Sequence, residues 1–253
     1  SNFHFSCTSQ CSVYRCYLDS MDDGFDHTSG QSYGIYTEDY NSDMLIIDNI
    51  VKGCRHGILF QGATAGSVIA YNLIHYGHSD DVTFVGADMG THTAHPFFNL
   101  YEGNICNNIW HDNTFGSSSH NLSYRNWFRN MSEARPSGWG RYGWTVKAHS
   151  WSNSLMGTVI GTGTSSYQLG WWDTATVNPF DASVETTSYK HGNYFYSSGT
   201  IGWASTNSNH ALPNSMWLNS QPSWWGGCPW PPFDPLTAPA SVNITNIPAG
   251  NRL

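Results

Sequence analysis

Leu45-Ile-Ile-Asp-Asn49-Ile-Val51 decides the fold, because its form recurs along the chain. An aliphatic or aromatic residue is followed by three variable positions, an Asn and two apolar residues. The copies are Val68-Ile-Ala-Tyr-Asn72-Leu-Ile74, Leu100-Tyr-Glu-Gly-Asn104-Ile-Cys106, Leu122-Ser-Tyr-Arg-Asn126-Trp-Phe128 and Tyr189-Lys-His-Gly-Asn193-Tyr-Phe195. Val13-Tyr-Arg-Cys16-Tyr-Leu18 reads as an earlier, degenerate copy. Successive Asn residues lie 23, 32, 22 and 67 positions apart. A turn of roughly 22 residues with loop insertions explains the first three spacings, and the last spans at least one turn without the motif.

Such short, β-rich segments bounded by Gly, Asn and Ser do not form helices. Alone they bury no apolar face. Stacked as coils of a solenoid they do, each coil pairing with the next at about 4.8 Å. The repeated Asn is expected at a tight turn in αL geometry, its amide bonded to the equivalent amide one coil away. The expected fold is an all-β, right-handed parallel β-helix over residues 1–200, with long loop insertions. Residues 201–253 carry eight prolines and cannot be sheet interior. They are expected to form an extended Pro/Trp-rich C-terminal strap of the same domain, covering the last coil or running back along the outside.

Composition agrees. Only 11% of the 253 residues are charged, while Trp, Tyr and Phe make up 15%. That excludes a disordered chain and a helical bundle. No run of about 18 apolar residues is present, so no helical membrane span is expected. Lys+Arg 10 against Asp+Glu 18 leaves −8, with no basic run. Nucleic acid and anionic membranes are therefore poor partners.

Cys7, Cys11 and Cys16 crowd one stretch, and Cys54, Cys106 and Cys228 are dispersed. We expect one disulfide within the cluster and buried thiols elsewhere, in a secreted or cell-surface protein. The chain starts at Ser1 in sequence that already reads as structured, as expected of a mature or trimmed product. It has no amphipathic cap there, so an upstream region or another subunit is expected over that edge.

The Asn-centred coils resemble right-handed parallel β-helices of the pectate-lyase-like superfamily. The later segments His191-Gly-Asn-Tyr-Phe-Tyr196, His210-Ala-Leu-Pro-Asn-Ser-Met-Trp-Leu218, Gln221-Pro-Ser-Trp-Trp-Gly226 and Trp230-Pro-Pro-Phe-Asp-Pro235 are similar to the C-terminal part of bacterial secreted β-helix-repeat proteins. The resemblance implies fold and not chemistry. No catalytic signature of a pectate lyase or polygalacturonase is matched residue by residue.

Register predicts columns. Three residues after each Asn stand Lys52, His75, Asn107 and Arg129. Slightly further on stand His56, His78 and His111. Lys52, His75, His111 and Arg129 are thus candidate catalytic residues, with His56 and His78 holding substrate. Cations and imidazoles on one flank suit a uronic acid polymer. β-Elimination needs a cation on the carboxylate and a base for the C5 proton. An ordinary solvated polar face is the bland alternative.

Paired carboxylates would serve glycoside hydrolysis, or hold Ca²⁺. Asp80, Asp81 and Asp88 are the candidate calcium ligands, within a loop that also holds the His92-x2-His95 pair. Turn Asp residues more often cap their own backbone. Eleven of the 12 Trp lie from Trp127 onward. Trp139, Trp144 and Trp172 either stack on sugar rings or fill a satellite core. For Trp217, Trp224, Trp225 and Trp230 the satellite core is favoured, since Pro-rich sequence needs side-chain anchors.

The expected function is secreted polysaccharide binding, with lyase or hydrolase chemistry on an acidic glycan. The rival is a structural or adhesive rod for a surface, filament or virion spike. A groove where the Lys52, His75 and Arg129 strip meets carboxylates favours the enzyme.

Overall fold

The computed structural model describes residues 3–19, 33–75, 86–129, 142–161, 165–171 and 180–253, with backbone alone for His75, Ser165 and Ser166. Short strands of two to six residues alternate with sharp corners. Every third strand joins the same sheet. The first sheet holds seven strands: Phe3–Ser6, Tyr33–Glu38, His56–Gln61, Met89–His92, Ile109–His111, Tyr142–Val146 and Ser165–Leu169. The second, also seven-stranded, runs from Ser12–Tyr14 to Tyr189–His191. The third runs from Tyr17–Asp19 to Asn193–Phe195, and Thr200–Gly202 joins it as an antiparallel eighth strand. All other pairings are parallel, so the molecule is an all-β solenoid of stacked three-strand coils.

The corner between the second and third sheets carries the Asn motif. Asn49 donates from both its backbone N–H and Nδ2 to Asn72 Oδ1, each at 2.9 Å. Asn72 does the same to Asn104, and Asn104 to Asn126, at 2.9–3.1 Å. Cys16 takes the first place in this column, its N–H bonding to Asn49 Oδ1 at 2.9 Å. Thr158 takes the place between Asn126 and Asn193, and its N–H bonds to Asn193 Oδ1 at 3.0 Å. The long interval thus contains one turn without the motif. The αL residue is the one before the ladder position, not the Asn itself. Arg15, Asp48, Tyr71, Gly103, Arg125, Gly157 and Gly192 hold φ between +47° and +68°. The preceding residue makes the bend and leaves the Asn amide free to point inward along the axis.

A second ladder stands at the corner between the first and second sheets. Asn99, Asn121 and Asn153 repeat the double bond at 3.0–3.1 Å. The Asn pattern is weaker there because Met44 and Ser67 fill the earlier positions.

The interior is built of columns in register. Val13, Ile46, Ile69, Tyr101, Ser123 and Leu155 form one on the second sheet. Ile35, Ile58, Met89, Ile109, Trp144 and Tyr167 form one on the first. Full burial of such a side chain contributes roughly 1.5–3 kcal/mol. Trp144 has no exposed surface and meets the Tyr167 ring edge-on at 6.0 Å. The expectation that it faces a sugar is therefore corrected: it occupies an interior column that turns from aliphatic to aromatic in the later coils.

The expected disulfide is absent among the described residues, where all six cysteines are free thiols. Cys7, Cys11 and Cys16 lie at three successive bends of the first coil, and extended backbone between them keeps them apart. Cys11 and Cys16 donate weakly to the Ser9 and Tyr14 carbonyls instead.

After Gly202 the chain turns back along the outer side of the coils. Arg125 donates to the carbonyls of Leu212, Pro213 and Phe233 at 2.8–3.0 Å. Glu102 accepts from the Ser215 hydroxyl and the Met216 N–H at 2.6 and 2.7 Å. Tyr71, at an αL corner, is ringed by Trp217, Trp224, Trp225 and Trp230. Near the end, Arg252 bonds to the Asp48 carboxylate at 2.6 Å. These four Trp rings form a satellite core with Phe233 and Ile247. No helix among the described residues is long and apolar enough to cross a membrane.

Candidate functional site

The outer face of the first sheet alternates with its core face, as a strand must. Its outward column runs Tyr36, Leu59, Gly90, Trp110, Thr145 and Gln168. On this face a cleft of about 320 Å³ opens between Tyr33 and Phe115, with Leu59 and Trp110 in its lining. The Trp110 backbone sits so close that a Cβ at Gly90 would lie 1.9 Å from its carbonyl oxygen. Glycine at position 90 is therefore required by the close approach of the two strands.

Tyr33, Arg55, His92, Trp110, Asp112 and Phe115 line this cleft. His92 Nδ1 makes a short bond to Asp112 Oδ2, which commits that nitrogen and leaves Nε2 for a ligand. Asp112 Oδ1 is buried with no described partner. The Phe115 ring, 70% exposed, meets the His92 imidazole edge-on at 5.3 Å. Tyr33 stacks on His56 at 5.3 Å. Burial raises the Tyr33 hydroxyl above its ordinary value; Asp112 and Glu38 add to this while the Arg55 guanidinium opposes it. The hydroxyl is therefore protonated at neutral pH.

His56 also lines the cleft. Burial, and then the Arg55 charge, push it down to about 3. Its Nδ1 accepts the Ala87 N–H at 3.0 Å. It is a neutral ring in the cleft wall and not a cation.

Lys52 and His75 are direct neighbours on successive coils of the third sheet, with Asp19 before them. Lys52 Nζ lies 3.1 Å from Asp19 Oδ2, and that bond raises its pKa. Arg129 continues the strand end two coils on, its N–H bonding to Cys106 O. His111 does not join this strip. It ends a first-sheet strand, faces inward onto Thr91 Oγ1 at 3.1 Å, and is pushed down to about 3 by burial. The reason is loop length. Ile58 and Ile109 share a column, yet Ile58 lies nine residues after Asn49 and Ile109 only five after Asn104. Counting a fixed offset from the Asn therefore drifts by four residues and moves His111 from the start of a strand to its end.

Asp88 is buried, and its Oδ2 accepts the Asn107 N–H at 2.6 Å. It caps a turn. Among the described residues no three of His, Cys, Asp and Glu gather as metal ligands. His92 and His95 diverge, His95 Nε2 bonding to Ser119 at 2.9 Å. His78, Asp80, Asp81, Trp139 and Trp172 lie outside the described residues.

Sequence reasoning passed over Tyr33, Asp112 and Phe115, and named His92 only as one half of the His92-x2-His95 pair. The available signal was spacing: His92 and Asp112 are 20 residues apart, one coil in this part of the chain. Comparison with family models, curated proteins and solved structures returns no match.

Proposed function

We propose that this chain is a secreted, right-handed parallel β-helix of the pectate-lyase-like kind that binds an acidic polysaccharide and cleaves it by β-elimination. The carrying observation is the cleft on the first sheet, where Arg55 and the His92–Asp112 pair meet between aromatic walls. Parallel crossovers are right-handed in about 98% of cases, which supports the hand. Lys52, His75 and Arg129 follow one another along the third sheet, as a strip separate from this cleft. The acid–base set is a different one.

Each cleft residue has a step suited to it. The Arg55 guanidinium neutralises the uronate carboxylate and lowers the barrier to carbanion character at C5. His92 Nε2 takes the C5 proton, and Asp112 holds the resulting imidazolium. The C5–H electron pair becomes the C4–C5 double bond as the C4–O bond breaks. The Tyr33 hydroxyl donates its proton to the departing oxygen. Trp110 and Phe115 offer apolar faces to the C–H faces of the sugar.

The test is incubation with polygalacturonate, alginate, hyaluronan and chondroitin, with and without Ca²⁺. Growth of the ultraviolet absorbance of a conjugated unsaturated uronate supports elimination. Absence of that signal on every polymer would sink it.

The structural reading keeps one specific observation. The three strands of the first coil have a described neighbour on one side only, and Tyr14 and Tyr17 are exposed there. A second subunit stacked on that edge would make a rod. Light scattering that gives a multimer mass, lowered by Tyr17→Lys, favours it.

A further inference from the structure

We propose that the polymer taken by this cleft is an alternating one, in which each uronic acid is followed by a sugar without a carboxylate. The proposal rests on the acidic-polysaccharide reading above and names its substrate class.

A second groove lies next to the His92 end of the cleft. Gln61 pairs with His92 across adjacent strands, and Gln61 lines this shallower groove toward the earlier coils. That groove is walled by Glu38, Asp39 and Tyr40. A glycan that leaves the cleft past His92 on this side meets that groove next. The two halves differ in charge. The cleft carries the Arg55 guanidinium, with the Asp112 carboxylate turned to His92, whereas the groove carries two carboxylates and, among the described residues, no Lys or Arg. Asp39 accepts a hydrogen bond from the neutral Ser6 hydroxyl at 2.7 Å and has no described cationic partner. Glu38 lies 3.1 Å from His4 Nε2, which offsets it only when that imidazole is protonated.

A homopolymer of uronic acid places a carboxylate at every ring. Its neighbouring ring would set that carboxylate against Glu38 and Asp39, and like charges brought together at an interface are strongly disfavoured. A ring with only hydroxyl and amide groups meets no such penalty. It donates hydrogen bonds to the two carboxylates, and its apolar face can rest on Tyr40, which is 76% exposed. The site therefore selects by charge at two adjacent positions.

The experiment is affinity electrophoresis of the full chain through gels carrying hyaluronan, unsulfated chondroitin, polygalacturonate or dextran. Retardation by either alternating polymer at least about tenfold stronger than by polygalacturonate is expected. The double variant Glu38→Gln, Asp39→Asn should bring the two classes together by strengthening polygalacturonate. Both changes remove charge with little change of shape, and Asn tolerates the positive φ of +60° at position 39. Polygalacturonate binding as tightly as the alternating polymers in the wild-type chain overturns the alternating pattern and leaves the acidic-polysaccharide reading standing. An unchanged ratio in the folded double variant also overturns it. Retardation by dextran alone, or by none of the four, removes that reading and this proposal together.

Discussion

Asn72 Oδ1 lies 2.9 Å from both the backbone nitrogen and the side-chain nitrogen of Asn49, one coil away. The Asn72 Nδ2 meanwhile donates to Ile46 O at 2.9 Å and to the next Asn. One side chain thus satisfies buried polar groups on the coil before its own and on the coil after it.

Removing it strands several of those groups. Asn72→Ala is expected to cost on the order of 3 kcal/mol or more, because unpaired buried donors lose their full solvation. Urea unfolding should show a lower midpoint with an unchanged slope. A cost near zero would mean that the ladder bonds merely accompany the packing of the coils.

The cleft makes a separable claim. His92→Gln and Asp112→Asn should each lower the cleavage rate about 10²–10⁴-fold, the range for a lost acid–base group. Glycan binding should fall far less, since Arg55 and the aromatic walls remain. Equal loss of binding and rate would assign the pair to structure. Lys52→Ala should leave the rate unchanged, because Lys52 belongs to the third sheet and pairs with Asp19.

What could be read in the sequence follows from how each feature is encoded. The Asn49, Asn72, Asn104 and Asn126 ladder is local, with one residue type at one position of a short motif, so it shows through noise. The second ladder is diluted by Met44 and Ser67. The cleft was hidden for a different reason. His92 and Asp112 come together through strand register, and the bends joining the third sheet to the first vary in length. Trp144 misled because Gly143 before it and Thr145 after it do not make an aliphatic run, whereas register sets it in the column of Ile58 and Ile109.

The strap is anchored by two buried charged groups, which gives it a specific weak point. Arg125 supplies three donors to strap carbonyls, and Glu102 accepts from Ser215, Met216 and the Tyr71 hydroxyl. Arg125→Ala should cost about 3 kcal/mol by leaving those carbonyls unpaired. The loss should appear as a red shift of Trp emission, as Trp217, Trp224, Trp225 and Trp230 leave Tyr71, and as protease cleavage after residue 203. Unchanged proteolysis with lowered global stability would show that strap and coils unfold as one unit.

Acid sensitivity is expected from His56 and His111, both buried and both pushed down to about 3. Their folded values lie below the unfolded value of about 6.5. The stability they contribute is therefore complete above that value and is lost as pH falls toward 3, by about 1.4 kcal/mol per unit for each ring. Glu102 acts in the opposite sense, since burial raises it: its contribution is present at acid pH and fades as pH rises through its folded value. Comparing wild type with His111→Phe cancels that background. Phe keeps a ring beside Tyr101, 6.0 Å away, and removes the unpartnered Nε2. Its stability at pH 7 should be close to wild type, and urea titrations at pH 6 and 5 should show the variant pulling ahead. Parallel curves across that range would show that His111 accepts a proton in the fold as readily as in the unfolded chain.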